Sequence, residues 1–197
     1  MWKLSEVAKI VYDAFMKKVL LIHGFEGSKE SNWFPWLEGQ LKQFQYEVLN
    51  KTLPNSKNPN FEETMAFLED ATKDFMPHDS IVGHSLGGFF ALKLAEKIEL
   101  DRLFVVAPAV GVLPYAQYRK LWPNSNVDAV ERVLEHPVDM SKIRAARKVA
   151  VFSDDDHLIP IESANEFDDS WDVIKLSGFG HFQEKSYPDL FYRLMTI

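Results

Sequence analysis

Residues Gly83-His84-Ser85-Leu86-Gly87 set a serine between two glycines in the pattern G-x-S-x-G, directly after the apolar run Ser80-Ile81-Val82. A strand that turns sharply into a helix needs this pattern for steric reasons. The serine must take a backbone conformation disfavoured for a residue with a side chain. The positions two before and two after it crowd neighbouring backbone, where only glycine fits. The turn lifts the hydroxyl clear of the strand and points a helix N-terminus at it, which favours developing negative charge. A glycine-rich strand-to-helix turn can also be plain packing or a phosphate loop. The Gly-Lys-Ser/Thr ending of a phosphate loop is missing here. Ser85 is therefore the expected nucleophile of an acyl-transfer reaction.

Three further segments carry groups that such a serine needs. His23-Gly24-Phe25-Glu26-Gly27 follows the first apolar run, where a loop can supply an oxyanion donor. The backbone N–H groups of Phe25 and Leu86 are the expected pair. Two fixed amides of this kind are worth ~2.7–4 kcal/mol each to a transition state. A plain glycine turn with His23 hydrogen-bonded in the core is the competing reading. Ser153-Asp154-Asp155-Asp156-His157-Leu158-Ile159-Pro160 offers an acid that can orient a histidine ring and stabilise its cation. Three adjacent carboxylates leave the choice between them open. With His157 they also suggest a metal site, but contiguous residues do not easily converge on one ion, so no metal is expected. Finally, Gly178-Phe179-Gly180-His181-Phe182 lets the chain fold back so that His181 overhangs a strand end. Among six histidines, His181 completes the chain order Ser, Asp, His. His84 and His157 occupy variable motif positions; with His23, Gly24, Tyr115 and Trp122 they are candidate pocket lining.

Positioning these groups requires a regular alternation of strands and helices. Val19–Ile22, Glu47–Asn50, Ser80–Val82, Leu103–Val106, Val149–Phe152 and Val173–Leu176 read as strands. Helical spacing fills Trp33–Phe44, Phe61–Phe75, Phe89–Lys97, Ile161–Phe167 and Pro188–Met195. Apolar strands without alternation imply a sheet covered on both faces. The expected fold class is α/β: a three-layer sandwich of about six mostly parallel strands with helices on both faces. Between Ala107 and Ala146 only short helices are visible, at Tyr115–Leu121 and Val127–Leu134. Such an insertion lies over the C-terminal strand edge, where ligands bind. Residues 1–15 read as an amphipathic helical extension with Leu4, Val7 and Val11 on one side, ahead of a single domain over 16–197.

Bulk properties exclude several function classes. The 197 residues carry a formal charge of −7, which repels phosphate backbones, so no nucleic-acid partner is expected. The basic cluster Lys142, Arg144, Arg147 and Lys148 reads as the solvated end of a helix. No apolar run approaches the ~18 residues of a membrane span, so no membrane partner is expected. The absence of cysteine removes disulfides, a thiol nucleophile and thiolate zinc sites. With no apolar core to a leader segment, the expected location is cytoplasmic.

With those residues in place, the chain resembles the α/β-hydrolase family that contains retinoblastoma-binding protein nine and the bacterial YdeN-like proteins. The resemblance runs from about Met16 to the C-terminus. Its most specific piece is Ser31-Asn32-Trp33-Phe34-Pro35-Trp36-Leu37, and the elbow, the Asp-Asp-x-x-Ile-Pro turn and the Gly-His-Phe ending follow in matching order. The resemblance implies that the acid lies ahead of the Ile159-Pro160 pair, which picks Asp156 over Asp155. It also implies a compact six-stranded parallel sheet with no large cap domain. The residues themselves point to a serine hydrolase, carboxylesterase-like, that cleaves a small ester, amide or thioester through an acyl-enzyme without a cofactor. A protein-interaction scaffold on the same fold is the alternative.

Overall fold

The computed structural model describes residues 16–196, so the extension expected over 1–15 lies outside the described residues. The strands are β1 (Lys18–Ile22), β2 (Glu47–Asn50), β3 (Ser80–His84), β4 (Glu99–Val106), β5 (Arg144–Ser153) and β6 (Asp172–Leu176). The helices are α1 (Phe34–Gln43), α2 (Phe61–Ala71), α3 (Leu86–Ala95), α4 (Tyr115–Leu121), α5 (Val127–Leu134) and α6 (Pro188–Thr196). All six strands form one parallel sheet in the order β2-β1-β3-β4-β5-β6.

The sequence forces this layering. Every residue of β3 is buried, as are Val19 to Ile22 of β1, so both sheet faces need cover. The rings of Trp36 in α1 and Phe191 in α6 pack edge to face at 5.9 Å on one face. Phe61 of α2 meets Phe89 and Phe90 of α3 at 6.4 and 6.2 Å. Right-handed crossovers put these two pairs on opposite faces, because β1 to β2 runs one way across the sheet and β2 to β3 the other. The result is a three-layer α/β sandwich. Strand order reverses between β1 and β3, and a crevice opens at the C-terminal ends of strands at such a point. The loops carrying Phe25 and Ser85 both leave from it.

Several elements differ from the sequence expectation. Helix α2 ends at Ala71 instead of Phe75, because the Thr72 hydroxyl donates to the Leu68 carbonyl at 2.8 Å and the chain leaves helical geometry. Helix α3 starts at Leu86, three residues early, straight out of the serine turn. Ile161–Glu166 is 3₁₀ helix, entered through Pro160. The basic cluster is not a helix end. Lys142 closes a 3₁₀ turn (Met140–Lys142), and Arg144, Arg147 and Lys148 lie in β5, in register with Glu99, Arg102 and Leu103 of β4. The first half of β5 is largely solvated, so its charged residues satisfy the ladder through backbone while their heads stay in water.

Candidate active site

The serine turn is built as sterics demand. Ser85 is held at φ 56° and ψ −124°, a region that costs a side-chain-bearing residue about 1–3 kcal/mol. Its amide donates to the Val106 carbonyl at 3.0 Å, and its carbonyl accepts from Ala109, Gly88 and Phe89 at 3.0, 2.9 and 3.2 Å. These four bonds fix the strained residue from both sides. Gly87 must be glycine, since a Cβ there would lie 2.1 Å from the Ile22 carbonyl oxygen and 2.4 Å from that of His23. That close approach brings the start of α3 against the end of β1. It sets the Leu86 amide beside the Phe25 loop.

Neither the Phe25 nor the Leu86 amide donates a hydrogen bond to another of the described residues. Both residues line the same cavity as Ser85 and His181, with a volume of about 310 Å³.

His181 is 6% exposed, and its Nδ1 lies 2.8 Å from Asp156 Oδ2. The Asp156 side chain is fully buried, and its Oδ1 accepts from the Leu158 and Ile159 amides at 2.8 and 3.1 Å. The buried carboxylate thus has three partners, which offsets its desolvation. Its two neighbours point elsewhere. Asp155 Oδ1 accepts from the Ser153 hydroxyl at 2.6 Å and the Gly180 amide at 2.8 Å. Those two donors, Ser153 first, hold the Asp155 carboxyl below its ordinary value. Asp154 accepts from the Ser177 hydroxyl at 2.7 Å and the Gly178 amide at 3.3 Å, while Ser153 Oγ accepts from the Phe179 amide at 3.0 Å. Four consecutive residues, starting with Ser153 at the end of β5, therefore clasp the loop after β6 rung by rung. The carboxylates do not converge on a common point, so this arrangement serves the loop and not an ion.

The remaining histidines in the motifs are braces. The Leu53 amide donates to His23 Nε2 at 2.9 Å, so the proton is on Nδ1, which donates to the Gly24 carbonyl at 2.8 Å. His84 Nε2 donates to the His181 carbonyl at 2.9 Å, with the two rings 4.8 Å apart. Burial pushes both imidazoles below their ordinary value, His84 well below, with nearby His181 adding to the effect there. Trp33, 3% exposed, donates from Nε1 to the Phe182 carbonyl at 3.0 Å. The tryptophan-rich segment thus holds the chain next to His181.

These two neutral histidines set a pH dependence of stability. Their folded pKa values lie below the unfolded value of about 6.5, so at lower pH the unfolded chain binds protons that the folded one refuses. Stability is complete above about pH 6.5 and falls as pH drops toward the folded values, by about 1.4 kcal/mol per pH unit for each histidine. Urea unfolding at pH 7.5 and 5.5 is expected to give a clearly lower midpoint at the acid value. Equal midpoints would show that neither ring is held neutral.

The cavity differs in part from the expected lining. His23, Gly24, His84 and Trp122 line it. Tyr115 does not; it faces a separate cavity of about 210 Å³ with Phe89, Leu134 and His136, because its position on α4 turns it away from Ser85. His157 is exposed and also lies outside, since the turn after Asp156 sends it to solvent. The Pro108 to Pro123 segment was expected to shape the pocket and does so through Leu113, but sequence reasoning missed the rest of the apolar wall: Tyr118, Val127 and Val130 of the insertion with Leu158 and Ile159. Tyr118 donates its hydroxyl to the Leu158 carbonyl, which ties α4 to the acid turn. Burial, with the Asp156 charge, holds that hydroxyl above its ordinary value. The i, i+3 pair Val127 and Val130 and the i, i+4 pair Tyr118 and Trp122 were the available signal.

A parallel α/β sandwich with a strained serine at its switch point defines a hydrolase class, and residues 19–189 match the family model for serine hydrolases. The chain belongs to that family. It is similar to YdeN, a candidate hydrolase of Bacillus subtilis (strain 168), at 25% identity over 174 residues, covering 85% of this chain and 87% of that protein. The crystal structure of the B. subtilis ydeN gene product has a TM-score of 0.77 at 23% identity, covering 92% of this chain and 98% of that one. Est1E from Butyrivibrio proteoclasticus, solved with ferulic acid bound, has a TM-score of 0.66 at 16% identity over 90% of this chain and 84% of its own. Among the described residues no helix is long and apolar enough to cross a membrane.

Proposed function

We propose that the protein hydrolyses small carboxylic esters through an acyl-enzyme on Ser85, with His181 as base and Asp156 as the acid that orients it. The observation that carries this reading is one cavity lined by a strained Ser85, His181 and the unpaired Phe25 and Leu86 amides, with Asp156 bound to the far side of the histidine ring.

The Ser85 hydroxyl attacks the ester carbonyl while His181 Nε2 takes its proton. Asp156 holds Nδ1 protonated, so that Nε2 is the free base, and stabilises the imidazolium that forms. The Phe25 and Leu86 amides receive the oxyanion. His181 then passes its proton to the leaving alcohol as the C–O bond breaks. Water, deprotonated by His181, attacks the acyl-enzyme and releases the acid and Ser85. No step draws on a group from outside the chain. A cavity of about 310 Å³ with an apolar wall suits a short acyl or single-ring aromatic ester. The ferulic acid bound to Est1E is an aromatic acid of that kind.

Labelling with a fluorophosphonate, read by intact mass, tests the assignment. One adduct on the parent and none on Ser85→Ala is the expected result. A folded parent that takes no adduct would overturn it in favour of an interaction scaffold.

A further inference from the structure

The charge of the cavity is one-sided. Glu26 is the sole lysine, arginine, aspartate or glutamate among its lining residues. Its carboxylate has no hydrogen-bond or ion-pair partner among the described residues, and the nearby Lys29 is turned to Glu30 at 3.8 Å. Behind the wall lies a second carboxylate, Asp156, while His23 and His84 are kept neutral by burial. Glu26 is also held at φ 54°, with its amide bonded to the Ser56 carbonyl at 2.9 Å. Glycine would take that conformation without strain, so a glutamate here adds backbone strain in order to place a carboxylate.

That placement opposes the chemistry of a neutral ester. Glu26 directly follows Phe25, the proposed oxyanion donor, and is an exposed residue lining the same cavity, so its negative charge raises the energy of an oxyanion developing there. A substrate that brings its own positive charge removes the penalty and gains an ion pair. We propose that the site is built for esters bearing an ammonium group close to the scissile carbonyl, with Glu26 as the residue that selects them. The inference rests on the Ser85 reading above. The ammonium can lie in the leaving alcohol or in the acyl part, and both place a cation near Glu26.

Isosteric pairs test this. Choline butyrate against 3,3-dimethylbutyl butyrate places or removes the charge in the alcohol. Norvaline methyl ester against methyl 2-methylpentanoate does so in the acyl part. For at least one pair the parent is expected to favour the cationic member in kcat/KM by about fivefold or more at low salt, the scale of an exposed charge pair, with the preference shrinking in 0.5 M NaCl. Glu26→Gln is expected to bring that ratio to about one, by lowering the cationic rate and raising the neutral one. A merely structural role would lower both members together and leave the ratio alone. Ratios near one in the parent for both pairs, or ratios untouched by Glu26→Gln, overturn the inference while the Ser85 reading stands. No turnover of any ester overturns it as well. The Ser85 reading falls with it only if fluorophosphonate labelling fails too.

Discussion

Ser85→Ala is expected to lower kcat on p-nitrophenyl butyrate by about 10⁴-fold or more, leaving only the residual rate that binding and an oxyanion hole supply. The loss is that large because no neighbour can replace the hydroxyl. Two histidines flank the turn and neither replaces a hydroxyl: both ring nitrogens of His23 are engaged, and His84 Nε2 donates to the His181 carbonyl. Alanine keeps the left-handed backbone and all four bonds that fix residue 85, since these are made by backbone atoms. The variant is therefore expected to fold with an unchanged urea midpoint. Turnover close to that of the parent would remove Ser85 from the mechanism.

Asp156→Asn is expected to lower kcat by about 10⁴-fold, while Asp155→Asn stays within about tenfold of the parent. The two substitutions remove one charge each from adjacent residues, so their contrast isolates geometry. An asparagine at 156 keeps an oxygen for the Leu158 and Ile159 amides, which turns its NH₂ toward His181 Nδ1. Two donors cannot face each other. The ring must then carry its proton on Nε2, where it has no lone pair with which to accept the serine proton. Asp155, by contrast, is exposed and accepts from Ser153 and Gly180, and an amide oxygen accepts there as well. Steady-state kinetics on the two variants check this, and the reverse ranking would transfer the orienting role to Asp155.

Much of this arrangement was legible from residue types because the constraints were local. The G-x-S-x-G turn is dictated by sterics within a few residues, and β1, β2, β3 and β6 were visible as short apolar or β-rich runs at the edges of loops. What was not legible depended on partners distant in sequence. Strands β4 and β5 begin at Glu99 and Arg144 instead of Leu103 and Val149, because their first halves pair with each other in solvent and carry charge instead of apolar side chains. Hydrophobicity marks a strand only where both faces are covered. The apolar wall of the cavity was hidden for the opposite reason: Val127, Val130, Leu158 and Ile159 have the composition of core. Tyr115 and Trp122 were equally plausible pocket residues on α4 and its C-terminal end, and only packing separates them. The run Asp154-Asp155-Asp156 looked ambiguous as chemistry and resolves as a set of rungs.

That clasp joins segments that differ in how firmly the sheet holds them. Ser85 follows β3, which has neighbours on both sides, whereas His181 follows β6, an edge strand paired to β5 alone. Ser153 to Asp156 at the end of β5 grip the His181 loop from the rim, while His84 at the end of β3 and Trp33 hold the carbonyls of His181 and Phe182 from the centre. Peeling back the edge strand would break the rungs to β5, including the one from Asp156 to the His181 ring, while the His84 and Trp33 bonds still tether the histidine's backbone near Ser85. Under the proposed mechanism such a molecule would lose the orientation of its base before it counted as unfolded, and re-zipping five residues would restore it.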